Sequence, residues 1–233
     1  MRRDRLILFD IDGTLLSSHG AGRRAMEAAL VSVFGSKGST GYRYDGKTDR
    51  QIVRDLMRSD GHSDESIDLR MQSVMDHYVE GLRAELAGPH SRVEALAGVV
   101  ALLDALVHRT GWVVGLLTGN VEPGAAHKLA AAGIAIERFA IGAFGSDHEV
   151  RSELPAIAQR RARERLGLHL GGDAMVIIGD TPADIHCGRP LGAHSIAVAT
   201  GHYSVDDLTA HDPDAVFPDL SDTGAVLSAI GDA

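Results

Sequence analysis

Asp10 and Asp12 stand two residues apart, directly after the apolar run of residues 6–9 and just ahead of Gly13 and Thr14. Side chains alternate along an extended chain, so carboxylates at i and i+2 can share a face. Two such groups repel each other unless a cation or a shared proton relieves them, and a magnesium ion with its preference for oxygen ligands suits that task. Read alone, residues 10–14 are also compatible with an Asp-rich turn. A second set follows the apolar run 175–178: Gly179, Asp180, Thr181, Pro182, Ala183, Asp184. Pro182 suits the first turn of a helix, which sets Asp184 one turn in, on the loop side; Asp180 could be a magnesium ligand or simply the helix N-cap. Two independent carboxylate sets at run ends favour one shared acidic site. A third segment, Leu117, Thr118, Gly119, Asn120, offers a hydroxyl and backbone amides of the kind that hold a phosphate oxygen, or an ordinary turn. Arg151 precedes the helical pattern of residues 153–166, where a cation could reach the same edge or lie on the surface.

These residues need a frame that brings run ends together. Short apolar runs recur at residues 6–9, 112–117, 139–144, 175–178 and 195–199, with a weaker one at 215–217. Helical patterns fill the intervals at 93–107, 125–132, 152–166 and 183–190. Such alternation predicts an α/β fold, a parallel sheet covered on both faces whose carboxyl edge binds ligands. Residues 20–87 break the pattern, with apolar residues at helical spacing and no convincing strand, which predicts a helical insert. Ser17 and Ser18 before it, and Gly88 and Pro89 after it, are candidate hinges. Residues 231–233 are expected to fray.

The chain has 233 residues, with 23 basic against 32 acidic side chains and a net charge of −9, a balance that argues against broad attachment to nucleic acid or anionic membrane. The run 6–9 is far too short for a signal or membrane segment. A single cysteine, Cys187, allows no internal disulfide and fits a cytoplasmic setting. The twelve histidines form no His-Glu-x-x-His pattern or Cys/His cluster, so zinc chemistry has little support. No Gly-x-Ser-x-Gly elbow and no Gly-Lys-Ser/Thr phosphate loop occurs.

In order and spacing, residues 10–14, Thr118 and residues 179–184 resemble the motifs of the haloacid dehalogenase superfamily of phosphohydrolases, in its phosphoglycolate phosphatase-like branch with a C1-type helical cap. The resemblance implies a Rossmann-like parallel core of residues 1–17 and 89–233 and a helical cap of residues 18–88 inserted after the first motif. It implies Asp10 as nucleophile, Asp12 as general acid and base, Thr118 as a phosphate ligand and Asp180 as a Mg2+ ligand supported by Asp184. Asp10, Asp12, Asp180 and Asp184 are thus the expected metal set. Gly119 and Asn120 would orient phosphate oxygens. The family's lysine, commonly followed by proline, is replaced by Arg151 in register, with Lys128 the alternative cation. Within residues 46–50, where the family carries a specificity loop, Lys47 is the expected leaving-group contact; Arg23 and Arg24 are expected on a solvated helix face. The implied activity is Mg2+-dependent hydrolysis of a small phosphate monoester through an aspartyl phosphate, with no nucleic-acid or membrane partner; the ester and the oligomeric state stay open. A sugar phosphomutase or a noncatalytic binding protein are the alternatives, and the second carboxylate, Asp12, counts against a carbon–halogen hydrolase.

Overall fold

The computed structural model describes residues 4–89 and 91–233. The chain opens with β1 (Arg5–Phe9) and a two-residue strand, β2 (Leu16–Ser17). Three helices follow, α1 (Ala21–Phe34), α2 (Asp49–Ser59) and α3 (Asp64–Ala87), and then β3 (Glu94–Ala95). Strand and helix alternate afterwards: α4 (Val99–Val107), β4 (Trp112–Thr118), α5 (Glu122–Ala131), β5 (Ile141–Phe144) and α6 (Leu154–Leu166). The chain closes with β6 (Met175–Gly179), α7 (Pro182–Cys187), β7 (His194–Val198), α8 (Val205–Thr209), β8 (Ala215–Phe217) and α9 (Thr223–Asp232).

Six strands form one parallel sheet in the order β5-β4-β1-β6-β7-β8. The connections run outward from β1 in both directions, so the order reverses there, and the carboxyl ends of β4, β1 and β6 lie side by side at the reversal. That is where an open α/β sheet leaves a crevice for a ligand. All five residues of β1 are buried because both faces are covered. Ile7 and Phe9 pack with Leu102 and Leu106 of α4, Leu129 of α5 and Ile230 of α9, whereas Leu6 and Leu8 pack with Leu154 and Ala158 of α6. Burying side chains of this size stabilises the fold by roughly 1.5–3 kcal/mol each.

The helical insertion has a core of its own. Ala25, Met26 and Leu30 of α1, Ile52 and Leu56 of α2, and Val74, Tyr78 and Leu82 of α3 meet in a separate apolar cluster. The insertion leaves and rejoins the sheet domain through β2 and β3, which pair antiparallel at Leu16 with Ala95 and at Ser17 with Glu94.

The sequence pattern locates each strand of the main sheet to within two residues. It misses the β2–β3 pair and the helices α8 and α9. Residues 93–98 are not helical: Glu94 and Ala95 are paired with β2, and α4 begins at Val99 after Gly98. The expected fraying of residues 231–233 is corrected as well. Residues 231 and 232 belong to α9, and the buried Arg5 guanidinium donates to the carbonyls of Gly231 and Ala233.

Candidate active site

Asp10 continues β1 by one residue, its amide donating to the Ile178 carbonyl of β6 at 2.9 Å. The chain then turns at Gly13, whose φ of +81° lies in the left-handed region that glycine adopts freely. A Cβ there would lie 2.4 Å from Oδ2 of Asp180, so the turn also needs the bare backbone to let the two acidic segments approach.

Asp10, Asp180 and Asp184 each present an oxygen within 4.8 Å of the others, and all three are buried. Thr181, not Asp180, caps α7. Its hydroxyl and amide bond Oδ2 of Asp184 at 2.6 and 3.1 Å, the reciprocal arrangement of a capping box, with Pro182 in the first turn. Asp180 is thereby spared for the cluster, where Oδ1 accepts from the Thr14 hydroxyl at 3.2 Å. Nη2 of Arg151 lies 3.2 Å from Oδ1 of Asp10 and also donates to Oδ1 of Asp184.

Charge bookkeeping shows what this cluster lacks. Three carboxylates against one guanidinium leave two formal negative charges. Burial drives the Asp10 carboxyl up to about 6; Arg151 opposes the shift, and Asp184 and Asp12 reinforce it. Burial, then the charges of Asp184 and Asp10, push Asp180 well above the usual carboxylate range. In Arg151 the cost of burial is outweighed by Asp184 and Asp10, so its charge is held more firmly than in water. Oxygen-only donors with a net charge of this sign and size fit a hard divalent cation.

Asp12 faces elsewhere. Because the chain leaves the strand after Asp10, its carboxylate points along the crevice, where Oδ2 accepts from Lys128 Nζ at 2.7 Å and from Asn120 Nδ2 at 2.8 Å. Asn120 Oδ1 accepts from Lys128 at 2.6 Å. Thr118 is fully buried, and its Oγ accepts from the Asn120 side chain at 2.8 Å and the Asn120 amide at 3.3 Å, which leaves its own proton to donate outward. The two candidate cations therefore divide: Arg151 stands at Asp10, Lys128 at Asp12.

Of these polar side chains, all except Thr14 and Asp184 open onto one cavity of about 350 Å³ between the sheet edge and the insertion. Lys47 lines it, yet its ammonium lies 3.4 Å from Asp55 and 4.6 Å from the centre of the Tyr42 ring. Arg23 is not on a freely solvated face: it also lines the cavity, over the Tyr44 ring at 4.3 Å. Arg24 pairs with Glu85 at the surface. Gly119 meets the insertion, its carbonyl accepting the Asp49 amide at 2.8 Å. Among the described residues, the three aspartates are the one group of three or more acidic, His or Cys side chains close enough to hold a metal. No helix among them is long and apolar enough to cross a membrane.

The haloacid dehalogenase-like hydrolase family model matches residues 7–189, a span that holds the aspartates, Thr118, Asn120, Lys128 and Arg151 of this site. The chain belongs to the haloacid dehalogenase-like hydrolase family. It is 26% identical over 239 residues to phosphoglycolate phosphatase of Yersinia pseudotuberculosis, a match covering 97% of this chain and 93% of that one. Its fold is similar to that of CbbY from Rhodobacter sphaeroides in complex with phosphate, with a TM-score of 0.74, 17% identity and coverage of 95% and 96%. It is likewise similar to a predicted phosphoglycolate phosphatase from Haemophilus somnus, with a TM-score of 0.69, 19% identity and coverage of 97% and 99%.

Two residues of this hydrolase's site, Thr14 and Asp49, are given no role by sequence reasoning. Thr14 carries no signal beyond its place after Gly13. Asp49 is buried where the insertion meets the sheet domain, and its Oδ2 accepts the Val121 amide at 2.8 Å. Here a signal existed: Thr48 followed three residues later by Gln51 marks a helix start, and Thr48 does cap α2.

Proposed function

We propose that this hydrolase cleaves a small phosphate monoester, with Mg2+ held by Asp10, Asp180 and Asp184, through a phosphorylated Asp10. The observation that carries this reading is the Asp10 carboxylate itself: it is buried at the sheet edge beside Arg151, belongs to a cluster two charges short of balance, and opens onto the shared cavity. The curated Yersinia relative, a phosphoglycolate phosphatase, supports a phosphate ester as substrate.

Asp10 attacks phosphorus in line and the bond to the leaving oxygen breaks, forming an aspartyl phosphate. Arg151 offsets the repulsion between the incoming carboxylate and the phosphate dianion. The outward proton of Thr118 takes one phosphoryl oxygen. Asp12, with a side chain 41% exposed toward the cavity, gives a proton to the departing alkoxide and then removes one from the water that hydrolyses the acyl phosphate. Mg2+ held by Asp10, Asp180 and Asp184 would supply neutralisation of the charge that the carboxylates and the phosphoryl group bring together. In this reading residues 18–88 act as a cap over a core of residues 1–17 and 89–233, limiting water at the acyl phosphate and selecting the leaving group through the segment around Lys47.

The test is release of inorganic phosphate from a panel of small esters, including phosphoglycolate, sugar phosphates and nucleoside monophosphates, with Mg2+ or a chelator. The expected result is Mg2+-dependent release from at least one ester, lost in Asp10→Asn. Release that survives chelation, or that survives Asp10→Asn, overturns the assignment.

A further inference from the structure

Lys128 is a core lysine enclosed by the insertion. It leaves α5 as a buried side chain and carries a charge that the attack on phosphorus does not use. On its core side are Asp12 Oδ2 at 2.7 Å and Asn120 Oδ1 at 2.6 Å. The other sides belong to the three inserted helices. A Cβ on Gly22 of α1 would lie 3.1 Å from the ammonium nitrogen and 3.7 Å from the Tyr78 hydroxyl. Asp49 of α2 and Tyr78 of α3 are both buried and line the same cavity as Lys128; burial raises the Asp49 carboxyl to about 6, and the Lys128 charge opposes that shift.

We propose that Lys128 is a positioning residue that holds Asp12 in its working orientation, and that the insertion, through Asp49 and Tyr78, keeps Lys128 in place only while it is docked on the core. The physical reason is that a buried ammonium needs a full set of acceptors and compensating charge. With the insertion docked, Asp49 adds a second buried carboxylate to the walls of the cavity that Lys128 lines, and Tyr78 helps to close that cavity to water. With it withdrawn, Lys128 is hydrated and free to change rotamer, and Asp12 keeps only the Asn120 amide. Asp49 is tied to the core at the same seam, its amide on Gly119 and its carboxylate on the Val121 amide, both 2.8 Å. Docking and the alignment of Asp12 are thus one event, and the general acid is assembled when the site is closed.

The proposal rests on Asp12 as the proton donor to the leaving group, and the experiment separates the two ideas. The measured quantity is kcat/KM, which reports the steps through phosphorylation of Asp10. It is compared with saturating Mg2+ on an alkyl phosphate, whose alkoxide must be protonated, and on p-nitrophenyl phosphate, whose phenolate leaves unaided. Asp12→Asn is expected to lose far more on the alkyl ester than on the aryl ester. Lys128→Met is expected to show the same signature in smaller measure, roughly ten- to hundredfold on the alkyl ester and under about threefold on the aryl ester, since general acid catalysis contributes 10²–10⁴-fold. In an Asp12→Asn background Lys128→Met should add nothing. Asp49→Asn, at a residue that makes no hydrogen bond to Asp12, should give the alkyl-selective loss at lower amplitude, and it carries the test alone if Lys128→Met does not fold. Equal losses on both esters in Lys128→Met or Asp49→Asn, or no loss, overturn the proposal while leaving Asp12 as the acid. Equal losses in Asp12→Asn itself overturn the reading of Asp12 and the proposal with it.

Discussion

Nη2 of Arg151 stands 3.2 Å from Oδ1 of Asp10 and bonds Oδ1 of Asp184 as well, so one buried guanidinium nitrogen ties the strand-end carboxylate of β1 to the first turn of α7. A cation fixed there lowers the cost of bringing a dianion to Asp10. Replacing it should therefore depress the chemical step for every ester, unlike loss of Lys128. Arg151→Met is expected to reduce kcat by roughly 10²–10³-fold, the range seen when a preorganised electrostatic partner is removed. Arg151→Lys should recover part of it, because a point charge can approach Asp10 or Asp184 but lacks the rigid planar head that holds one nitrogen against both. Steady-state phosphate release on an alkyl and an aryl ester checks this, and a variant that keeps full kcat would take Arg151 out of the reaction.

Asp10 carries a cost that Asp10→Asn should remove. Its folded-state carboxyl is driven up to about 6 from an ordinary 3.8, first by burial. The folded protein therefore holds that proton more tightly than the unfolded chain, and the stabilisation, complete below 3.8, is lost as pH rises through about 6. At pH 7.5 with a chelator, Asp10→Asn should melt higher than the wild type by on the order of 3–6 °C. The gap should close toward pH 4, and saturating Mg2+ should narrow it at pH 7.5. Thermal denaturation across pH with and without Mg2+ decides the point: a variant less stable at pH 7.5 would mean that the pairing with Arg151 outweighs burial.

The fold was legible because its strands are uniformly apolar. A strand buried on both faces reads as a run such as residues 6–9, and the carboxylates that end such runs are conspicuous. Asp10, Thr118 and Asp180 each end such a run, and adjacency of β4, β1 and β6 turns these three sequence-distant run ends into neighbours. What periodicity could not give was direction. Asp12 shares a motif with Asp10 but turns to Lys128, because the chain leaves the strand between them. Asp49 and Tyr78 look like a surface helix start and a core tyrosine, and they reach the cavity only because the insertion packs on the sheet domain. The β2–β3 pair is two residues long on each strand, below any pattern a sequence can display.

Metal affinity should depend on a hydroxyl as well as on carboxylates. The Thr14 hydroxyl fixes Oδ1 of Asp180 at 3.2 Å, orienting the carboxylate toward the cluster. Partners of this kind typically account for 10–100-fold in metal affinity. Thr14→Val is expected to raise the Mg2+ concentration for half-maximal activity roughly tenfold with kcat at saturation nearly kept, and Asp180→Asn to raise it further. Calorimetric Mg2+ titration of each variant provides a reading independent of turnover, and unchanged binding in Asp180→Asn would remove that residue from the metal set.

Gly119 tests whether the seam between insertion and core matters apart from the carboxylates. A Cβ there would lie 2.0 Å from the Lys47 carbonyl oxygen and 3.0 Å from the Thr48 Cα, both backbone atoms that cannot rotate out of the way. Gly119→Ala must therefore push residues 47–49 off the sheet edge and stretch the bond from the Asp49 amide. The three aspartates lie on the core side of that displacement and should not feel it. The expected outcome is a fall in kcat/KM of tenfold or more, since a shift of about 1 Å in a positioning element can cost up to ~10²-fold, with Mg2+ affinity unchanged by calorimetry. If affinity for the metal falls in step with catalysis, the substitution has disturbed the core itself and the seam is not an independent element.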